Sequence, residues 1–299
     1  DLNFHARPAE GALKQKNAAL FHQVVTIIVN NTDTTVLTIC LGSRSLLEVS
    51  VYGIYMLVVN AVNQLLTSFS NGLTAGFGEV IARREEETLK KSYSDYEYMY
   101  FLIFFVVVAC MGVLLIPFIS VYTIDMKDVQ YVRPVIAALF TLLIFLQNVR
   151  IPGLTIICAA GHYKETRYQA GLEAAINIVV SLALVWSMGM TGVLIGTVCS
   201  YGYRSFEIIL YTNRHLIPGT AKTAFIRIIR NLIVTGVLIA LGIWLIPQNM
   251  TSFIHWFIYA VAPGIVSVVM IVGVNYVAEP RQFKNLILRI QGIVSRKKR

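Results

Sequence analysis

The sequence predicts an all-α fold, a polytopic membrane helical bundle with eight transmembrane helices. Three observations predict it. Of 299 residues, 56% are apolar and only 14% are charged, with a mean hydropathy of +0.66, whereas soluble domains carry about 25% charged residues. Eight stretches are long and apolar enough to cross a bilayer: 18–41, 51–77, 99–122, 134–159, 168–188, 191–212, 230–247 and 253–277. About 20 residues at 1.5 Å rise span the roughly 30 Å of hydrocarbon. The basic residues gather in alternate connections, as the positive-inside rule requires of cytoplasmic loops.

The charge of +9 follows that alternation, so topology accounts for it and nucleic acid is not an expected partner. Arg7, Lys14 and Lys16 precede the first span, and Arg83, Arg84, Lys90 and Lys91 fill the second loop. Lys164 and Arg167 lie in the fourth loop, and Arg214, Lys222, Arg227 and Arg230 in the sixth. The chain ends Arg296-Lys297-Lys298-Arg299, while the other side holds only Arg44, Lys127 and Arg133. Both ends are expected in the cytoplasm, which needs an even number of spans. The expected organisation is a cytoplasmic loop over 1–17, a six-helix lobe over 18–212, and a cytoplasmic interfacial linker over 213–229. Two additional helices over 230–277 and a basic cytoplasmic tail over 278–299 complete it.

The first span carries Asn30-Asn31-Thr32-Asp33-Thr34-Thr35 at its centre. An ionisable group at membrane depth points to function, although such groups also join helices by hydrogen bonds. At 100° per residue Gln23, Thr26, Asn30, Asn31, Asp33, Thr34 and Thr38 share one side, with Val25, Ile28, Val36 and Ile39 opposite. Thr32 and Thr35 fall outside the pattern, and their hydroxyls can bond their own backbone.

The second span repeats the stripe with Tyr52, Tyr55, Asn60, Asn63, Gln64, Thr67, Ser70, Asn71 and Thr74. Ile54, Leu57, Val58, Ala61, Leu65 and Phe69 make its other face. Ordinary helix association needs one or two polar bridges, so two such stripes predict a water-accessible cavity. Before the third span, Glu86 and Glu87 stand four residues ahead of Lys90 and Lys91, a spacing for a short exposed helix. The third span is almost wholly apolar and reads as lipid-facing support.

In the fourth, Gln147, Asn148 and Arg150 precede Ile151-Pro152-Gly153, which predicts a break serving as a hinge, a substrate contact or a plain kink. The fifth span holds Glu173 and Asn177 one turn apart. The sixth holds Arg204 and Glu207, close enough to neutralise each other. Gly192, Gly196 and Ser200 form a small-residue edge for close helix approach. Residues 214–230 and 281–299 mix basic and apolar positions and are expected along the inner surface, as linkers or in contact with membrane lipids.

Cys40, Cys110, Cys158 and Cys199 fall in different spans without CxxC spacing, so neither disulfides nor metal ligation is expected. No nucleophile elbow, zinc-binding helix motif, phosphate loop or dinucleotide turn is present, so no catalytic residue, cofactor or enzymatic activity is expected.

Asn31-Thr32-Asp33 with Leu41-Gly42, Val51-Tyr52-Gly53-x-Tyr55 and Asn60-x-x-Asn63 resemble the seventh and eighth spans of bacterial polysaccharide (O-antigen type) flippases. These belong to the multidrug, oligosaccharidyl-lipid and polysaccharide exporter superfamily. Ala159-Ala160-Gly161, Asn177-Ile178-Val179-Val180-Ser181-Leu182 and Gly192-Val193-x-x-Gly196-Thr197 are similar as well. The resemblance runs from about Leu13 to Ala278. It implies the C-terminal lobe of a two-lobe exporter plus two extra helices, with the N-terminal lobe of the same protein as a partner outside this sequence.

The implied function is translocation of an undecaprenyl-diphosphate-linked oligosaccharide across the bacterial plasma membrane by alternating access. A polysaccharide polymerase and glycosyltransferases are the implied neighbours. The cavity would be lined by Asn30, Asn31, Asp33, Thr34, Tyr52, Tyr55, Asn60, Asn63, Gln64, Thr67 and Asn71, with Arg44, Arg150 and Arg204 for the diphosphate. No cofactor is implied beyond coupling to a proton or sodium gradient, for which Asp33 is the expected group. A cation-coupled multidrug exporter of the same superfamily and a non-transporting scaffold of polysaccharide assembly are the alternative readings.

Overall fold

The computed structural model describes residues 16–70 and 73–296, with side chains through residue 288. Residues 1–15 of the expected 1–17 loop, Asn71 and the last three basic residues lie outside the described residues, and Lys16 and Asn17 are helical rather than loop. Eleven helices are present among the described residues. They are α1 (Lys16–Cys40), α2 (Ser45–Ser70), α3 (Leu73–Ala82), α4 (Glu86–Tyr122), α5 (Pro134–Val149) and α6 (Ile151–Ala159). α7 (Arg167–Met188), α8 (Met190–His215), α9 (Ala221–Leu245), α10 (Phe253–Ala278) and α11 (Pro280–Arg296) complete the chain.

The predicted break of the fourth span lies at Arg150, between α5 and α6, where Pro152 cannot donate to the preceding turn. α7 and α8 form the closest pair, an antiparallel hairpin joined through Gly189 at φ +57°. The small-residue edge makes that approach possible. A Cβ on Gly192 would stand 2.5 Å from the Leu184 carbonyl oxygen, and one on Gly196 2.7 Å from the Ser181 amide nitrogen. Around this hairpin α1 packs on α7, α8 and α2, while α5 packs on α8.

α4 corrects the reading of the third span as lipid-facing support. It is the central helix, packed against α2, α3, α5 and α6 on the lobe side and against α9, α10 and α11 on the other. Of its most apolar stretch 56% is buried, against 11% for α10. A helix apolar all round suits either lipid or neighbouring helices, so hydropathy could not distinguish the two. α4 is also longer than a span needs. Its 37 residues make about 55 Å of helix at 1.5 Å per residue. The exposed Glu86–Lys91 turns are its first turns rather than a separate helix.

At that end a buried charge network ties α9 and α10 to α4. Arg227, 1% exposed, donates to Glu97 at 2.8 Å and to Glu279 at 2.6 Å. It also bonds the Ser94 carbonyl and hydroxyl oxygens, both at 3.2 Å. Arg230 pairs with Glu279 at 2.8 Å, and Asn231 exchanges bonds with Asn275. Part of the expected 213–229 linker is therefore helix, because Arg227 is anchored in α9 rather than lying free along a surface.

Six stretches are long and apolar enough to cross a membrane, as in a multi-pass membrane protein: α2 with α3, α4, α5 with α6, α7, α9 and α10. α1 and α8, with 25 and 26 residues, have the length but stand outside these six. Asn, Asp and Thr in α1, and Ser, Tyr, Arg and Glu in α8, dilute their hydropathy. The count of eight spans is thus reduced to six by apolarity alone.

Candidate functional site

The polar cluster of α1 divides when the helix packs. Asn30, Asn31 and Thr38 stay on the exposed side, whereas Asp33 is turned inward and is 2% exposed. The Asp33 carboxylate accepts from Thr197 of α8 at 2.7 Å and from Tyr52 of α2 at 3.1 Å. Asn177 of α7 donates to the same Thr197 hydroxyl at 3.0 Å, and its own carbonyl oxygen has no hydrogen-bond partner among the described residues. Four helices therefore meet around one carboxylate that forms no ion pair with any described residue. The hydroxyls bond back to the helix as foreseen for Thr32 and Thr35, which donate to the Ile28 and Asn31 carbonyls. The Asn31 amide does the same to Ile27.

The stripe of α2 also straddles the packing boundary. Asn60, Gln64 and Thr67 are exposed. Tyr52 and Tyr55 are 5% and 0% exposed, so they are corrected from cavity wall to interior. Both rings pack on Phe140, and the Tyr55 hydroxyl donates to the Tyr131 carbonyl at 3.0 Å. An amphipathic tyrosine can serve either setting, which is why its spacing alone misled. Asn63 is half-buried and bridges to α5, donating to Gln147 at 3.0 Å and accepting from Asn148 at 2.8 Å. Ala61 and Leu65, on the apolar face opposite the stripe, are exposed.

Beside this amide bridge lies a pocket of about 140 Å³ whose walls include His22, Thr26 and Asn30 of α1 and Gln147 of α5. Arg150 enters it from the α5–α6 break, Glu173 from α7, and Tyr201 and Arg204 from α8. Two of the three arginines expected at a diphosphate are brought together here. The third, Arg44, is exposed in the Gly42–Arg44 turn after α1 and does not line this pocket. Glu173 bridges the pair, accepting from Arg150 at 2.5 Å and standing 3.5 Å from the Arg204 guanidinium. Arg204 also pairs with Glu207, the neutralisation expected from their spacing. The Arg150 guanidinium lies 4.7 Å above the Tyr201 ring, a contact suited to a desolvated cation.

Sequence reasoning had noticed Glu173, Asn177 and Gln147 as polar groups in apolar spans but had assigned them no site. His22 and Tyr201 are absent from that reading, and Thr197 enters it only as part of the Gly192–Thr197 motif. Polarity at membrane depth was the available signal; which groups meet depends on helix packing.

The arrangement can hold an anion between two guanidinium groups and hydrogen-bond neighbouring hydroxyls through Asn30 and Gln147. No group of three or more His, Cys, Asp or Glu suited to a metal ion occurs among the described residues. Comparisons with protein-family models, with curated proteins and with solved structures find no match to this chain.

Proposed function

We propose that the chain is the C-terminal part of a bacterial polysaccharide flippase, moving an undecaprenyl-diphosphate-linked oligosaccharide across the plasma membrane by alternating access. In this reading all eight apolar stretches span the bilayer and both ends are cytoplasmic. The observation that carries it is the meeting of Arg150 and Arg204 with Asn30 and Gln147 in one pocket. A guanidinium pair recognises the diphosphate, and amides recognise sugar hydroxyls. The low apolarity of α1 and α8 supports the same reading, because helices bordering a hydrophilic cavity need not match lipid. Coupling to a proton or sodium ion falls to Asp33, held by the Thr197 and Tyr52 hydroxyls and forming no ion pair with any described residue.

That buried carboxylate, in no ion pair with a described residue, also supports a second reading, a cation-coupled multidrug exporter of the same superfamily. The two differ in the charge of their cargo.

The test uses cells whose surface polysaccharide depends on the whole protein, carrying Arg150→Gln, Arg204→Gln or Asp33→Asn at normal membrane levels. The flippase reading expects surface polysaccharide to fall about tenfold or more in both arginine variants, on the 1.5–3 kcal/mol of a hydrogen bond to a charged group. Normal polysaccharide in both variants overturns it. Altered resistance to cationic compounds with intact polysaccharide selects the second reading. Asp33→Asn is expected to abolish dependence on the driving ion.

A further inference from the structure

We infer that α11 binds anionic phospholipids: its first two turns are fastened to the bundle, and its outward face takes their headgroups at the membrane surface. The inference is independent of the flippase reading and needs only that the chain spans a membrane.

α10 fixes where α11 lies. Its 26 residues make about 39 Å of helix, against the roughly 30 Å of hydrocarbon to be crossed. Of its most apolar stretch only 11% is buried, which leaves the rest for lipid and brings its C-terminal end to the polar surface. There Glu279 turns the chain into Pro280, and Arg227 and Arg230 pair with that carboxylate at 2.6 and 2.8 Å. Past this corner α11 is held by contacts of its own. Gln282 donates to the Ser94 hydroxyl oxygen at 3.4 Å, and the Phe283 ring meets Tyr276 edge-on at 5.1 Å. Phe283 and Leu286 pack against the main core.

These contacts set the roll of the helix. Gln282, Phe283, Asn285 and Leu286 are half-buried, whereas Arg281, Lys284, Ile287 and Leu288 are exposed. The outward face thus carries two cations beside two aliphatic side chains that are 40% and 57% exposed. A face turned to water would lack the aliphatic groups, and one packed on protein would lack the charges. Together they suit the headgroup boundary, where apolar groups sink toward the acyl chains and long basic ones reach the phosphates. Neither Arg281 nor Lys284 forms an ion pair with a described residue, and the nearby Glu279 carboxylate is already held by two arginines. Both cations are thereby left to an external anion. Between Pro280 and Arg299 the sequence holds seven basic residues and no acidic one. Such a run on an amphipathic helix selects anionic over zwitterionic lipid, by an attraction that accumulates with each charge.

The test follows hydrogen exchange of the α11 backbone amides in the full chain, reconstituted in nanodiscs of phosphatidylcholine alone or mixed with phosphatidylglycerol. Headgroup binding lowers the population of the opened helix, so exchange is expected to be at least about tenfold slower with phosphatidylglycerol. High salt is expected to shrink the difference. A variant carrying Arg281→Gln and Lys284→Gln keeps the apolar side chains and every contact to the bundle. Its ratio of exchange between the two lipids is expected to fall at least about fivefold below that of wild type. Because the variant meets the same surface potential, it separates binding by these side chains from a general effect of a charged membrane. Equal exchange of wild type in both lipids overturns the inference, as does a variant that keeps the wild-type ratio. So does protection in micelles free of phospholipid that matches protection with phosphatidylglycerol, because the bundle alone would then hold the helix.

Discussion

Replacing Arg227 by glutamine isolates the energy of the charge network that fastens α9 and α10 to the lobe. The guanidinium is 1% exposed and Glu97 is 3% exposed. Arg227 is the residue that supplies Glu97 with an ion pair, at 2.8 Å, while Glu279 retains Arg230 at 2.8 Å after the change. The loss therefore falls on Glu97, stranded beside the Ser94 turn. Breaking a buried pair from one side destabilises by about 3–5 kcal/mol, most of it the penalty of the abandoned charge.

Thermal unfolding of the purified protein in micelles, followed by loss of the monodisperse chromatographic peak, should show the midpoint about 5–10 °C lower. That is the low end of what 2–4 °C per kcal/mol implies, since the chain exceeds the domains from which that scale comes. Adding Glu97→Gln to Arg227→Gln removes the stranded charge and should restore part of the loss. A single variant melting within about 2 °C of wild type, or a double variant less stable than the single, refutes the reasoning.

Gly196→Ala should destabilise by about 1–3 kcal/mol, because its Cβ would meet the Ser181 amide nitrogen at 2.7 Å. Gly53→Ala, with no atom within 4 Å, is the control, and equal melting of the two would refute the close α7–α8 approach. Burial pushes the Glu279 carboxyl up, but hydrogen bonds and charge from Arg227 and then Arg230 outweigh it and hold it below its ordinary value of 4.5. A depressed carboxyl stabilises the fold above its unfolded value, and that stability is lost as the pH falls through the lower folded value. Acid melting curves of Glu279→Gln should accordingly lie below wild type near neutrality and converge with it under acid. Parallel curves would exclude the linkage. Asn63→Leu should cost about 1–2 kcal/mol by unpairing Gln147 and Asn148, whereas exposed Asn60→Leu should melt as wild type does. Equal losses at both would contradict the orientation of α2.

Helix positions and the all-α class were legible because apolar length is a local property. Arg150 next to Pro152, Arg204 three residues before Glu207, and Gly192 with Gly196 were legible for the same reason, since each partner lies within a turn or two. The pocket was legible only in pieces. Arg150, Glu173 and Arg204 stand on separate elements, and no periodicity relates residue 150 to residue 173 or residue 204.

The Asn30–Thr35 cluster and the Tyr52–Thr74 stripe mark α1 and α2 as more than lipid anchors, and the sequence alone determined that. Only the tertiary structure decided which edge of each stripe faces inward. Asp33 and Tyr52 turn toward one another across the α1–α2 contact, while Asn30 borders the open pocket and Asn60 remains outside. The physical reason is that a polar stripe specifies a direction within its own helix, whereas burial depends on how that helix is rotated against its neighbours. That rotation is set by the summed packing of every helix it touches. The same reason placed α4 at the centre: its uniform apolar surface contains no direction at all, and the surrounding helices supplied one.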